Sequence, residues 1–509
     1  MRGVNAYDSI VGFVRFVIRR WFRRVEVSGE EHIPATGGGI LVSWHPNGMV
    51  DPGLILTHFP RRVVFGARHG LFNFPVLGRM MRAVGTVPIF RAADMKRLPP
   101  EERREANAKS LDALANAVAQ GCFSCLFPEG DSHDLPTLLQ LKTGAARFYY
   151  RARQLQPEGA PPPVIIPVGL HYDSKRSFRS SALVTFHPPM TLAEALDTEP
   201  TEDDSFGEEH RDRCRQLTDE IDRVLKEVVH ATESWELHHL MNRARKLVRA
   251  ERALKAGSHL RRPKMTERVL GYGRIWVGYQ NRLQTHPEEV AMLRERVLEY
   301  DQDMRALGIE DHELDRDPRL ASPTLLLILL AQVILVFLLL PPLLLVGYVV
   351  NLPAVLALWT ASKVFSKKKK DEATIKVLLG AVLLPASWLL SGGMAWWGHA
   401  QLNLLFPSMP DTPWLAALAT VALGITGGMV ALRYLRLAGE TVRAVRVRLT
   451  RSRRRIALDR LRRERAQIYQ VIEHLVEGLD LPGQVADDGR VVLADAPTDE
   501  RDEEDEDST

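Results

Sequence analysis

Between residues 25 and 186 the chain alternates short apolar runs with longer polar stretches. Val25 to Val27, Ile40 to Ser43, Val63 to Phe65, Val87 to Phe90, Phe123 to Phe127, Val164 to Val168 and Ala182 to Phe186 have strand length, and Arg104 to Gln120 reads as a helix. This alternation predicts an α/β domain over 25–195, a mixed sheet covered by helices. Further on, Leu217, Ile221, Val224, Leu225 and Val228, then Leu237, Leu240, Met241, Ala244 and Leu247, recur at helical spacing. A helical region over 196–320 follows, its apolar faces packed on the preceding domain or on each other.

After residue 320 the pattern changes. No charged side chain occurs in Ala321 to Ser362, Val377 to Pro410 or Pro413 to Leu432. Runs of about 20 apolar residues can cross a hydrocarbon core roughly 30 Å thick. The first run is long enough for two spans and is interrupted by Pro341-Pro342, which predicts a tight helical hairpin. With two more helices, about four transmembrane helices in two hairpins are expected over 321–437. A basic helix over 438–485 and an acidic, disordered tail over 486–509 complete the chain. At the other end, Ile10, Phe13, Val14, Val17, Ile18 and Trp21 share one helical face within 1–24, among Arg15, Arg19 and Arg20. Such a helix either lies on anionic lipid or packs against the α/β domain. No cleavable signal is expected there.

Charge adds an orientation. Lys363 and Lys367 to Lys370 precede the third apolar helix, the segment His399 to Asp411 has neither Lys nor Arg, and arginines crowd the chain from Arg433 onward. The positive-inside rule then predicts an integral membrane protein with its N-terminal domain on the cytoplasmic face. Arginine density beside a membrane exit reads as contact with lipid phosphates; no nucleic-acid fold motif accompanies it, so no nucleic-acid partner is expected. Three cysteines fit a reducing compartment. Cys122 and Cys125 fall on opposite faces of a strand and lack a second pair, which predicts buried thiols and no metal. Glu236, His238 and His239 diverge around a helix and form no ligand set.

The candidate chemistry sits where apolar runs end. In Ser43-Trp44-His45-Pro46-Asn47-Gly48-Met49-Val50-Asp51, His45 follows a strand and can act as a base, with Asp51 fixing its tautomer after a tight turn. Gly85-Thr86-Val87-Pro88-Ile89-Phe90-Arg91 places a cation beyond another run, Leu126-Phe127-Pro128-Glu129-Gly130 a carboxylate and a glycine, and Ile165-Ile166-Pro167-Val168-Gly169-Leu170 closes the set. Four strand ends of this kind can converge on one cleft.

This ordered quartet resembles the glycerolipid acyltransferase family, which includes lysophosphatidate and glycerol-3-phosphate acyltransferases. The resemblance covers roughly 25–195 and extends through Glu129 to Asp134 and Lys142 to Arg147. Five residues separate His45 from Asp51 where the family pattern has four, and the extra residue is expected to be absorbed in the turn. The resemblance implies a membrane-bound O-acyltransferase of phosphatidic acid and phospholipid biosynthesis. It would move a fatty acyl group from acyl-CoA or acyl carrier protein, used as co-substrate with no further cofactor, to glycerol 3-phosphate or 1-acylglycerol 3-phosphate.

His45 and Asp51 would then be catalytic, with Arg91 and Gly85 at the acceptor phosphate. Glu129 would hold a hydroxyl or a cationic neighbour, and Gly130 would permit close backbone approach. Lys142 and Arg147 would make secondary phosphate or coenzyme contacts, and Pro167 would face an acyl chain or belong to a core strand. No nucleophile-elbow pattern surrounds Ser43 or Ser132, which favours direct transfer without an acyl-enzyme. Backbone N–H groups of the His45 turn are the first candidates for the oxyanion. The remaining alternatives are an enzyme remodelling another lysolipid and a non-catalytic lipid-binding scaffold.

Overall fold

In the computed structural model, which describes residues 6–90, 99–197, 207–258, 262–315, 323–365 and 372–493, the apolar runs form one seven-stranded sheet. The strands are β1 (Arg24–Ser28), β2 (Gly39–Ser43), β3 (Val63–Arg68), β4 (Val87–Ile89), β5 (Phe123–Leu126), β6 (Val164–Tyr172) and β7 (Ser181–Phe186), in the order β1-β7-β6-β2-β5-β3-β4. Every pairing is parallel except β6 with β7. Parallel strands need crossovers, and α2 (Val50–His58), α3 (Pro75–Ala83), α4 (Pro100–Ala119) and α5 (Gly144–Gln154) supply them, while α1 (Ala6–Trp21) precedes β1 and α6 (Glu208–Val229) follows β7.

The strands are apolar at consecutive positions because both faces of the sheet are covered. Ile40, Val42, Val64 and Ile165 bury one face under α4, α5 and α6 through Leu114, Val118, Phe148, Leu217 and Leu225. Leu41, Phe65, Phe123, Ile166, Val168 and Val184 bury the other against α1 and α2. Here α1 takes the second of its two expected roles. Ile18 and Trp21 join this core, the Tyr7 hydroxyl donates to the Val63 carbonyl at 3.3 Å, and the Arg15 guanidinium donates to the Thr57 carbonyl at 2.8 Å. Phe13 and Phe16 remain outside, more than half exposed. Cys125 is buried, and that burial, with the charge of Asp51, raises its thiol far above the ordinary range.

Met1–Trp235 and Ala361–Leu378 make up one compact unit, which runs past residue 195 because α6 covers the sheet; Glu236–Thr360 and Leu379–Thr509 make up the other. The second unit holds α7 (Trp235–Lys255) from its second residue, α8 (Met265–Thr285), α9 (Pro287–Leu307), α10 (Asp311–Leu314), α11 (Pro323–Ile334), α12 (Leu340–Phe365) as far as Thr360, α13 (Glu372–Leu405) from Leu379, α14 (Pro413–Arg453), α15 (Arg455–Val476) and the two-stranded hairpin β8 (Gln484–Val485) and β9 (Val491–Val492). Leu247, Trp276, Tyr300 and Ile468 are central to its core.

Two expectations change in this unit. Pro341-Pro342 does not turn the chain: α11, a π-helical stretch Leu335–Leu339 and α12 follow one another without a break. Two prolines withdraw two N–H donors, and the wider turn just before them, in which the Leu340 amide bonds the Leu335 carbonyl, lets the helix continue. Among the described residues two stretches, Ile375–Leu405 and Pro413–Val447, are long and apolar enough to cross a membrane, so two spans stand where about four were expected. Leu389, Met394 and Leu404 there are at least 70% exposed.

The arginines after residue 440 also differ from the lipid-facing assignment. Arg443 pairs with Glu310 and Glu313 at 2.9 Å each, and Arg465 is wholly buried, bonding Glu251 at 2.9 Å and Asp315 at 2.7 Å. Lys367 to Lys370 and residues 494–509 lie outside the described residues, whereas the start of the tail expected to be disordered over 486–509 is ordered, since β9 pairs with β8.

Candidate active site

Because β2, β5 and β6 are parallel neighbours, their C-terminal ends share one edge, with Val42 opposite Leu126 and Ser43 opposite Val168. In open parallel sheets that edge is where ligands bind. The segments leaving it carry His45, Glu129 and Tyr172.

The turn from β2 into α2 brings His45 onto Asp51. Gly48 adopts a left-handed φ of 52°, Asp51 N–H donates to the Gly48 carbonyl, and Asp51 enters the first turn of α2. The five-residue separation is thereby absorbed, and His45 Nδ1 lies 2.8 Å from Asp51 Oδ2. The carboxylate is buried and fully engaged: the Asn47 amide donates to Oδ2 at 2.7 Å, and the Tyr172 hydroxyl donates to Oδ1. Burial, reinforced by the Asp51 charge, holds Tyr172 well above the usual phenol range, so it stays a donor. The imidazole stacks on Phe127 at 4.1 Å, its Nε2 makes no hydrogen bond among the described residues, and the side chain is 16% exposed. One nitrogen is therefore oriented and the other presented.

Glu129, expected to hold a hydroxyl or a cationic neighbour, is engaged by groups of this chain, the His133 imidazole among them. Its Oε1 accepts the His45 backbone amide at 2.8 Å, and its Oε2 accepts the Leu139 amide at 2.8 Å and meets the His133 ring. The His133 amide in turn donates to the His45 carbonyl at 3.1 Å. A buried carboxylate saturated in this way ties the loop after β5 to the histidine turn instead of holding a substrate hydroxyl. It also commits the amide of His45, as Asp51 commits that of Asn47, so neither is available to an oxyanion.

Gly130 has φ 71°, and a Cβ there would lie 2.5 Å from Lys142 Nζ, so the missing side chain makes room for that lysine. Lys142 and Arg147 are exposed, Arg147 one turn into α5 and near enough to lower the Cys214 thiol that burial otherwise raises. Pro167 is buried in β6 opposite Val42, and its carbonyl accepts the His187 amide at 3.0 Å. Gly85 has φ 79° and ends α3 before β4 begins, on the edge opposite His45; that position explains the glycine as a helix cap. Arg91 lies outside the described residues, but the strand leading to it is held by Asn107, which bonds both the amide and the carbonyl of Phe90.

Three contributors were not singled out from sequence. Tyr172 lacks any motif of its own and Phe127 had no role within the Leu126–Gly130 run, whereas Lys175-Arg176 carried a readable signal, paired cations just past a strand. Lys175 lies over the Trp44 and Trp235 rings at 5.6 and 5.5 Å and bonds Asp134 at 3.2 Å, and its carbonyl accepts from the Asn47 side chain. Among the described residues no group of three or more His, Cys, Asp or Glu side chains converges as a metal site.

Known proteins share this sequence pattern. The acyltransferase family model matches residues 24–171, and the model of the glycerol-3-phosphate acyltransferase 2 C-terminal domain matches residues 247–482. An uncharacterized acyltransferase of Schizosaccharomyces pombe is 22% identical over 62% of this chain and 56% of its own length. Glycerol-3-phosphate O-acyltransferase 1 of Saccharomyces cerevisiae is 25% identical over 57% of this chain, and the chain spans 35% of that protein. The solved 1-acyl-sn-glycerophosphate acyltransferase of Thermotoga maritima aligns over 43% of this chain and 80% of its own at 18% identity, with a TM-score of 0.29.

Proposed function

Starting from an acyltransferase-family domain over residues 24–171, we propose that this chain esterifies a glycerolipid precursor, with glycerol 3-phosphate as acceptor and an acyl thioester of coenzyme A or acyl carrier protein as donor. The acceptor is taken from the family of the second matched region and from the yeast relative of that name. The single observation that carries the chemistry is the His45 ring, bonded through Nδ1 to a buried Asp51 with Nε2 open at the C-terminal edge of the sheet.

His45 Nε2 takes the proton of the acceptor hydroxyl as that oxygen attacks the thioester carbonyl carbon. Asp51 stabilises the imidazolium so formed. The tetrahedral intermediate then collapses, the carbon–sulfur bond breaks, and the leaving thiolate recovers the proton from His45. Atoms and charge balance without an acyl-enzyme. Phe127 restricts the ring to one plane, and Tyr172 keeps the carboxylate turned toward it. Arg91, with Lys142 as a second cation, would neutralise the acceptor phosphate, and Arg147 is assigned to the coenzyme; Pro167, buried in β6, is left to the core of the sheet.

The apolar stretches in α13 and α14 anchor the enzyme in a bilayer, where its product belongs, with the catalytic domain on the cytoplasmic face. The test is transfer from radiolabelled acyl-CoA in isolated membranes, comparing glycerol 3-phosphate, dihydroxyacetone phosphate and lysophosphatidate, with His45→Ala as control. His45-dependent acylation of glycerol 3-phosphate is expected. Product with lysophosphatidate alone reassigns the acceptor, and no His45-dependent product with any acceptor leaves a binding scaffold.

A further inference from the structure

In the unit that follows Trp235, a cleft of about 460 Å³, part of it open solvent, is lined by four arginines and a single acid, Glu267. Arg245, Arg249 and Arg252 stand along one face of α7, and Arg274 reaches in from α8. Aliphatic side chains, Ile275, Ile472 and Val491 among them, form the rest of the wall and lower its polarity.

The cleft is closed by close backbone approach at one point. Gly489, at φ 84°, turns the β8–β9 hairpin against α7 so tightly that a Cβ would lie 2.9 Å from the Arg252 backbone carbon. Nearby, a Cβ on Gly271 would press on Arg245 Cγ at 3.3 Å, so the arginine stem lies over a glycine.

Two of these arginines meet carboxylates. Arg249 pairs with Glu267, and Arg252 with Glu473 at 2.7 Å. Arg274 spends only Nη1, donating to the carbonyls of Pro482 at 3.2 Å and Gly483 at 2.8 Å. Its Nε is buried with no hydrogen-bond partner, and its Nη2 makes no hydrogen bond among the described residues. That leaves the Nε–Nη2 edge, the geometry that grips an oxyanion with two parallel bonds. Burial, with the nearby Arg252 charge, lowers the Arg274 pKa against the opposing charge of Glu473.

We propose that this cleft binds a phosphomonoester group, with Arg274 as the two-bond contact and Arg252 supplying further charge. A tetrahedral dianion suits the site because it can accept from guanidinium groups arriving from two helices, and the aliphatic wall strengthens each of those bonds. Such a ligand would tie α7, α8 and the segment 481–491 together, separately from acyl transfer at His45. A small soluble phosphate and the headgroup of a phosphatidate-type lipid share this chemistry, and the two arms of the test distinguish them.

The test uses the full chain in detergent micelles, followed by thermal unfolding at constant ionic strength. Inorganic phosphate replaces chloride in one arm, and dihexanoyl phosphatidate is added in the other. Phosphate near saturation should raise the midpoint by about 3 °C, equally in wild type and His45→Ala, and not in Arg274→Gln. A response to phosphatidate alone assigns the headgroup as the source. No response to either probe, or one retained in Arg274→Gln, overturns the proposal. Should Arg274→Gln fail to fold, phenylglyoxal modification of the wild-type protein decides: the probe must slow labelling of Arg274, and unchanged labelling refutes the site.

Discussion

Asp51 illustrates how much a single buried carboxylate can organise, since it orients His45, closes the Asn47 turn and accepts from Tyr172. Asp51→Asn should keep the fold, by circular dichroism, but lower turnover about 100-fold or more, because the amide cannot stabilise the imidazolium. Tyr172→Phe should be milder, about tenfold in turnover with about 1–2 kcal/mol lost in stability, as one donor to a buried charge is withdrawn. Equal turnover in Asp51→Asn and wild type would remove Asp51 from the mechanism.

His187 offers a pH test of the same domain. Burial lowers its pKa to about 4, and its Nε2 is buried without a partner. The unfolded chain binds a proton near pH 6.5 that the folded one refuses. Stability from this group is therefore complete above pH 6.5 and falls as the pH drops toward 4, by on the order of 3 kcal/mol. Denaturant midpoints measured across that window should flatten in His187→Gln.

At the level of elements, the helices of the second unit are held by close approach and by buried polar side chains. A Cβ on Gly427 of α14 would lie 2.6 Å from Gly347 Cα in α12, so these two backbones meet directly. Beside them, the Asn351 amide donates to the Gly424 carbonyl at 2.7 Å and accepts from the Trp388 indole at 2.9 Å. In an apolar setting, small residues and interhelical hydrogen bonds provide most of the specificity of packing. Gly427→Leu should force α12 and α14 apart and lower the unfolding midpoint in detergent, while Gly439→Leu, whose Cβ would meet nothing, should leave it unchanged. A similar midpoint for both variants would contradict this contact.

At the level of the whole molecule, each compact unit carries its own core and its own buried charge. Arg465 is the largest fully buried side chain, and its pairing with Glu251 and Asp315, together with its bond to the Asp311 carbonyl, joins α15 to the ends of α7 and α10. Arg465→Met should cost about 3–5 kcal/mol, since it leaves carboxylates buried without a counter-charge. Because this network lies wholly within the second unit, its loss should appear as an early transition in proteolysis or calorimetry. A single unshifted transition would show that the pairing contributes nothing net.

The strands of the first unit were legible because a sheet buried on both faces demands consecutive apolar residues, and that demand is local. The pairing of His45 with Asp51 was legible for the same reason: both lie within one turn. Tyr172 meets Asp51 across 121 residues of chain, and only the adjacency of β2 and β6 creates that contact. Glu129 could be marked as important from its motif, yet its partners, two backbone amides and an imidazole, belong to loops whose approach depends on strand order. The arginines after residue 440 show the same limit, since composition cannot tell a lipid-facing cation from one that finds a carboxylate more than 100 residues away. Likewise Pro341-Pro342 signals a lost pair of donors, and whether the chain turns or widens its helix depends on the packing around it. Sequence by itself determined the strands of the sheet and marked the candidate His45–Asp51 pair, which rest on short-range periodicity and turn chemistry. Tertiary structure alone decided which buried charges pair and which amides remain free, because desolvation and distance are set by contacts between remote segments.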